Sequence, residues 1–148
     1  MKRALSMIGL AAAAMIGVSC TQTPTEAMEV TVYKTSTCGC CKNWIRHLRA
    51  NGFAVTAYDV QNLDQIARQN GVSPQLRSCH TARVGGYVIE GHVPSQDIKR
   101  LLAEKPTVTG LTVPGMPQSA PGMDVPGKEP YNVYTFNMDG STAVYARY

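Results

Sequence analysis

The sequence is poor in charge. Only 16% of its 148 residues are Asp, Glu, Lys or Arg, against about a quarter in ordinary soluble domains. Long charged runs are absent, which argues against an acidic or basic interaction tail. The basic residues are scattered, with no stripe and no interleaved aromatics, so no nucleic-acid-binding surface is expected. The net charge is +4, and without Lys2 and Arg3 twelve basic residues face ten acidic ones. The longest apolar run, residues 5–18, falls short of the roughly 20 residues that span a bilayer comfortably. Repeats and low-complexity tracts are missing from residues 29–148. The five cysteines also lack the spacing of a disulfide framework. Cys38, Cys40 and Cys41 crowd into four positions, and one of them at most can pair with distant Cys79. A second bridge would have to close inside the cluster, as Cys38–Cys41 or as one of two tight, strained rings.

What is present begins with an export signature. Lys2 and Arg3 precede the Ala-rich apolar run, which ends in Gly17-Val18-Ser19-Cys20. This reads as a signal segment over residues 1–20. Small residues before Cys20 resemble a lipobox, with Cys20 lipidated and residues 21–28 as a polar tether. Gly17 stands where a lipobox carries Leu or Val, so cleavage further on, after Ala27, stays as the competing reading. Either way the expected location is the periplasm or cell envelope, with membrane contact only through a lipid at Cys20.

The remaining chain, residues 29–148, reads as one α/β domain. Residues 29–35 alternate as a strand, and the cysteine loop follows at once. Trp44, Ile45 and Leu48 recur at helical spacing up to Asn51-Gly52. A second strand over 53–60, a helix over 62–70, a hairpin over 81–84 and 87–90, and a helix capped by Ser95 complete a β-α-β-α-β-β-α order. That order is thioredoxin-like. Residues 107–130 form a Pro/Gly-rich loop without regular structure, expected to wrap the domain. Residues 131–148 form a C-terminal hairpin about Asp139-Gly140.

The chemistry is expected at the Cys38-Gly39-Cys40-Cys41 loop. A helix N-terminus stabilises anions and lowers thiol pKa values, favouring the thiolate that binds metal. In a thioredoxin-like topology the loop entering the third strand, Ser78-Cys79-His80-Thr81, lies against that helix start and adds a fourth thiol. Thiolates select Cu(I), zinc or iron–sulfur clusters. Adjacent Cys40 and Cys41 suit a tetrahedral zinc site poorly, whereas bridging sulfurs and low coordination suit several Cu(I) ions. An iron–sulfur cluster would need assembly before export and ranks last. Met116 and Met123, in matching Pro-Gly-Met contexts, offer soft thioethers, although methionine also fills apolar gaps. His80 is a candidate ligand beside Cys79. His47 reads as a structural histidine. His92 reads as a supporting or turn-organising one. Two alternatives stand: a thiol–disulfide oxidoreductase using Cys38 and Cys41, and a mononuclear zinc site.

Three stretches carry a family resemblance: TSTCGCCKNWIRHLRANGF from residue 35, LRSCHTARVGGYVIEGHVP from residue 76 and GLTVPGMPQSAPGM from residue 110. They resemble the CopG-type copper-resistance proteins of bacterial envelopes, which are distinct from the DNA-binding repressors of that name. The resemblance spans about residues 30–148. It implies a thioredoxin-like fold and a thiolate-bridged copper cluster on Cys38, Cys40, Cys41 and Cys79. It also implies a role in copper tolerance, through interconversion of Cu(I) and Cu(II) or through relay to other envelope copper-handling proteins. An oxidoreductase-type activity toward copper is thus an expectation beside simple binding.

Overall fold

The computed structural model describes residues 27–123, 125 and 129–148. The expected signal segment, Cys20 and most of the tether lie outside these residues. Among the described residues no helix is long and apolar enough to cross a membrane.

The chain runs β1 (Met28–Lys34), α1 (Gly39–Ala50), β2 (Phe53–Asp59), α2 (Leu63–Gln69), a 3-10 turn (Pro74–Leu76), β3 (His80–Val84), β4 (Tyr87–Glu90) and α3 (Ser95–Glu104). Three further strands follow: β5 (Gly110–Thr112), β6 (Asn132–Phe136) and β7 (Thr142–Arg147). The strands form one mixed sheet in the order β2-β1-β3-β4-β5-β6-β7. β1 pairs parallel with β2 through α1, and antiparallel with β3. This is the thioredoxin-like arrangement, with extra strands at its C-terminal side.

Side-chain alternation explains how the layers form. On β4, Ile89 joins a core with Val30, Val32, Trp44, Leu48, Ile98 and Leu101, whereas neighbouring Val88 packs with Ala67, Val72 and Phe136. Successive strand residues point to opposite faces, so α1 and α3 cover one face of the sheet and α2 the other. Trp44 and Leu48 are fully buried, and each such side chain contributes about 1.5–3 kcal/mol of transfer free energy. The indole N–H of Trp44 donates to the Val93 carbonyl at 2.9 Å.

Two details differ from the sequence expectation. Ser95 is the first residue of α3 and Pro94 holds the cap position, without a side-chain cap bond. The His47 ring takes the capping part, its Nε2 accepting the Ser95 backbone N–H at 3.2 Å. The Pro/Gly-rich loop is also not wholly irregular. Its residues 110–112 pair parallel with β4 and antiparallel with β6. A three-residue strand between glycines and prolines carries almost no periodic signal, and its partner residues on β4 lie twenty-two positions away. The terminal hairpin docks through Tyr148, whose hydroxyl donates to Asp97 Oδ2 at 2.7 Å and whose ring stacks on Tyr131.

Candidate metal centre

The start of α1 is built from cysteine. Cys38 is the N-cap residue, and its sulfur accepts the Cys41 backbone N–H at 3.3 Å. Cys38 and Cys40 are half-buried, and Cys41 is buried against the core. Cys38 and Cys41 form a disulfide with Cα atoms 5.4 Å apart, while Cys40 and Cys79 are free thiols. The Cys40 sulfur lies 3.5 Å from that of Cys38 and 3.8 Å from that of Cys79. All four sulfurs fall within 4.8 Å of one another.

Strand register delivers Cys79. His80 pairs with Lys34, the last residue of β1. The residue just before His80 therefore sits beside the loop just after Lys34, which is the cysteine loop. A buried carboxylate holds this position. Glu90 Oε1 accepts the Ser78 backbone N–H at 2.8 Å, and Oε2 accepts the Thr81 hydroxyl at 2.7 Å. The two donors flank Cys79 and His80, so Glu90 clamps the segment from the neighbouring strand. Burial raises the Glu90 pKa to about 7, against the opposing effect of its two hydrogen bonds and Arg77. Burial and the adjacent Cys40 push the Cys79 thiol up to about 12. The lowering expected at a helix N-terminus does not extend to Cys79, which lies outside α1. A bound cation would supply the charge compensation that burial withholds.

A second face of Cys79 meets two histidines. Its sulfur lies 3.4 Å from His80 Nδ1 and 3.1 Å from His92 Nε2. Both rings are fully buried. His92 Nδ1 lies 2.7 Å from the Pro121 carbonyl oxygen. A carbonyl only accepts, so Nδ1 carries the proton and the Nε2 lone pair faces Cys79. A backbone acceptor behind the ring is the usual support of a metal-ligating histidine. Among the described residues His80 Nε2 is buried with no hydrogen-bond partner. Its ring sits 4.3 Å from that of Trp44 and 5.1 Å from that of His92. Burial, reinforced by His92, lowers the His80 pKa to about 3. Burial also lowers that of His92. Both imidazoles are therefore neutral near pH 7, the form that ligates metal.

Pro121 belongs to a strap laid over the helix start. Gly122, at φ +86°, presses on α1, where a Cβ would come within 2.5 Å of the Trp44 backbone nitrogen. Gly91, at φ +72°, leaves similar room for Ser78 and the Val113 carbonyl. Further back the strap is tied by the Gly115 N–H to Arg77 O at 2.9 Å and the Thr112 hydroxyl to Leu76 O at 2.7 Å.

Relatives with this architecture exist among solved structures. Two structures named as copper resistance protein CopG, Form 2 and Form 1, align with TM-scores of 0.79 and 0.78. Each is 39% identical, and the alignments cover 83% of this chain and 99% and 98% of the respective relatives. The chain belongs to the CopG copper-resistance family. Residues 76–123 also match the family model described as a protein of unknown function, DUF411. A comparison with curated proteins gives no match. The DUF411 match runs from the turn before Cys79 through the strap to Met123, so in this CopG-family chain it covers the remote half of the centre.

The residues expected to form the site separate into two groups. Cys38, Cys40, Cys41 and Cys79 come together, and His80 joins them through Cys79. Met116 stands at the surface, 55% exposed. Met123 is half-buried and follows Gly122 on the strap. His47 is structural, bonded to the start of α3. His92, read from sequence as supporting or turn-organising, has its Nε2 3.1 Å from the Cys79 sulfur. Glu90 and Pro121 were not singled out. The one available signal was register: Glu90 pairs with Thr81, so the chain after it must return past Cys79.

Proposed function

We propose that this protein is an exported copper-binding protein that holds several Cu(I) ions on the thiolates of Cys38, Cys40, Cys41 and Cys79. The imidazoles of His80 and His92 complete the set, and a signal segment over residues 1–20 directs the domain to the envelope, with Cys20 as a lipid site. The reading rests on one observation: two groups of soft donors, four sulfurs and a Cys–His–His trio, share the Cys79 sulfur. A single sulfur belonging to both groups favours bridged ions over one isolated ion. The names of the related structures favour copper as the metal. Met116 and Met123 remain proposed soft ligands.

Binding by all four sulfurs requires the Cys38–Cys41 bond to open, which gives the site two states. With both thiolates present, Cys38 and Cys41 can give up one electron each to two Cu(II) ions. The sulfurs then join as a disulfide and two Cu(I) ions result. The reverse exchange returns the electrons, so the same pair supports interconversion in either direction.

Metal analysis of protein reduced and loaded with Cu(I) without oxygen tests the reading. More than one copper per chain is expected, falling below one when Cys38, Cys40 and Cys41 are replaced together by Ser. Zinc bound one to one in preference to copper overturns it. The disulfide itself favours a second reading, a thiol–disulfide oxidoreductase with half-exposed Cys38 as the attacked sulfur and buried Cys41 as its partner. Turnover of a disulfide substrate without copper, surviving Cys40→Ser, would establish that reading instead.

A further inference from the structure

One flank of α1 is strongly cationic. A groove of about 480 Å³ is lined by Lys34, Gly39, Lys42, Ile45, Arg46 and Arg49, among others. It lies outside the metal centre but touches it, because Gly39 is the residue after Cys38. Lys42, Arg46 and Arg49 are exposed, whereas Lys34 is buried and paired with Asp59. Arg46 bonds Asn43, and Arg49 donates to the Val55 carbonyl at 2.9 Å. Both are neutral acceptors, and among the described residues no carboxylate pairs with these guanidinium groups. The first turn of α1 carries no acidic residue, so the positive end of the helix adds to the field. In a chain with a net charge of only +4, this is a local concentration of charge beside a disulfide.

We infer that this groove binds a small thiol bearing carboxylates, a reductant of the glutathione class, and presents it to the Cys38–Cys41 disulfide. The spacing suits such a ligand. Along the helix, Lys42 and Arg46 stand about 5 and 10 Å from Gly39 at 1.5 Å per residue. A molecule with its thiol at Cys38 and carboxylates one and two helical turns away spans that distance. The sulfurs differ in access in the matching sense, Cys38 being half-buried and Cys41 buried. The thiolate of the ligand attacks the Cys38 sulfur, forms a mixed disulfide there, and releases Cys41 as thiolate. A second molecule of the same thiol attacks the ligand sulfur of that mixed disulfide. It leaves as the oxidised dimer, and Cys38 is released as thiolate. Two electrons pass from two thiols to one protein disulfide, and all four sulfurs become available. The inference rests on the proposed two-state site, but its chemistry is read without copper.

The test measures the rate of Cys38–Cys41 reduction in the metal-free full-length protein at low ionic strength. The probes are glutathione, uncharged 2-mercaptoethanol and cationic cysteamine. Each rate is divided by the rate of the same thiol with an uncharged small disulfide, which removes intrinsic reactivity. Glutathione should exceed cysteamine by roughly tenfold, the lower range of electrostatic steering in a charged cleft. The preference should collapse at high salt. It should invert or vanish in Lys42→Glu/Arg46→Glu and shrink in the neutral Lys42→Gln/Arg46→Gln, which guards against a folding defect in the first. Equal normalised rates for the three thiols overturn the inference. A preference unchanged by the substitutions, or an equal slowing of all three thiols, overturns it as well. Failed copper loading with an intact thiol preference would count against the copper reading alone.

Discussion

The two sides of Cys79 are built in opposite ways. On one side, Cys38, Cys40 and Cys41 are neighbours in the chain, placed by the first turn of a helix, partly open to solvent and already joined by one bond. On the other, His80 and His92 arrive from a strand and the loop after its hairpin partner, fully buried, with one ring held by a backbone carbonyl of the strap. The thiol side can change its covalent state without moving the fold, because the disulfide closes within one helical turn. The imidazole side cannot change without disturbing the packing of Trp44, Gly122 and Glu90. A centre of this kind combines a redox-variable half with a rigid half, and Cys79 is the hinge of the comparison.

The largest break comes from removing the shared atom. Cys79→Ser is expected to weaken Cu(I) binding by at least about a hundredfold, more than loss of a supporting contact alone. Cys38→Ser/Cys41→Ser strips only one side and should leave one ion on Cys40, Cys79 and the histidines. Competition with a Cu(I)-specific chelator separates the two. An equal loss in both variants would mean that the histidine side contributes nothing.

Next in size is a pH effect confined to the rigid side. Glu90 has its pKa raised from 4.5 to about 7. The folded chain thus holds this proton when the unfolded chain has lost it, and Glu90's contribution to stability declines as pH rises from about 4.5 to 7. His80, lowered from 6.5 to about 3, works in the other direction. Its contribution is present above 6.5 and is lost as pH falls toward 3. Glu90→Gln removes the declining contribution and keeps an acceptor for the Ser78 N–H. Urea unfolding of the metal-free variant should therefore gain on the wild type by roughly 2–3 kcal/mol between pH 5 and 7. Parallel curves would show that Glu90 does not titrate in this window.

A smaller effect is expected at the strap. Gly122→Ala places a Cβ against the α1 backbone at positive φ, and should cost about 1–3 kcal/mol in unfolding free energy. Lifting Pro121 from His92 should also weaken Cu(I) binding by about tenfold. His47→Ala should be the mildest change. It removes the acceptor for the first N–H of α3 at about 1 kcal/mol, with the copper content unchanged, because His47 stands outside the centre.

Much of this was legible in the chain, and the parts that were not have identifiable causes. The β-α-β-α-β-β-α order followed from periodicities of 2 and 3.6 and from stops such as Asn51-Gly52. The meeting of Cys79 with the helix start followed from topology once the fold was read. β5 escaped because three residues among glycines and prolines show no period. Nothing in Glu90-Gly91-His92-Val93-Pro94 distinguishes a ring facing a sulfur from one organising a turn, and only the structure puts His92 Nε2 beside the Cys79 sulfur. Met116 and Met123 looked equivalent in sequence, yet one stands in solvent and the other follows the glycine that clamps the strap.

The amino-acid order alone determined that three thiols gather at a helix N-terminus, because helix starts, caps and side-chain spacing are set by interactions a few residues long. It also determined the strands that make a parallel crossover compulsory. Only the tertiary structure decided that Cys38 pairs with Cys41, that His92 turns its lone pair to Cys79, and that Glu90 and Pro121 hold the two in place. Apart from the Cys38–Cys41 bond, which closes within one helical turn, those contacts cross between strands, loop and strap. Their geometry depends on pairing register and close packing, which short stretches of sequence do not carry.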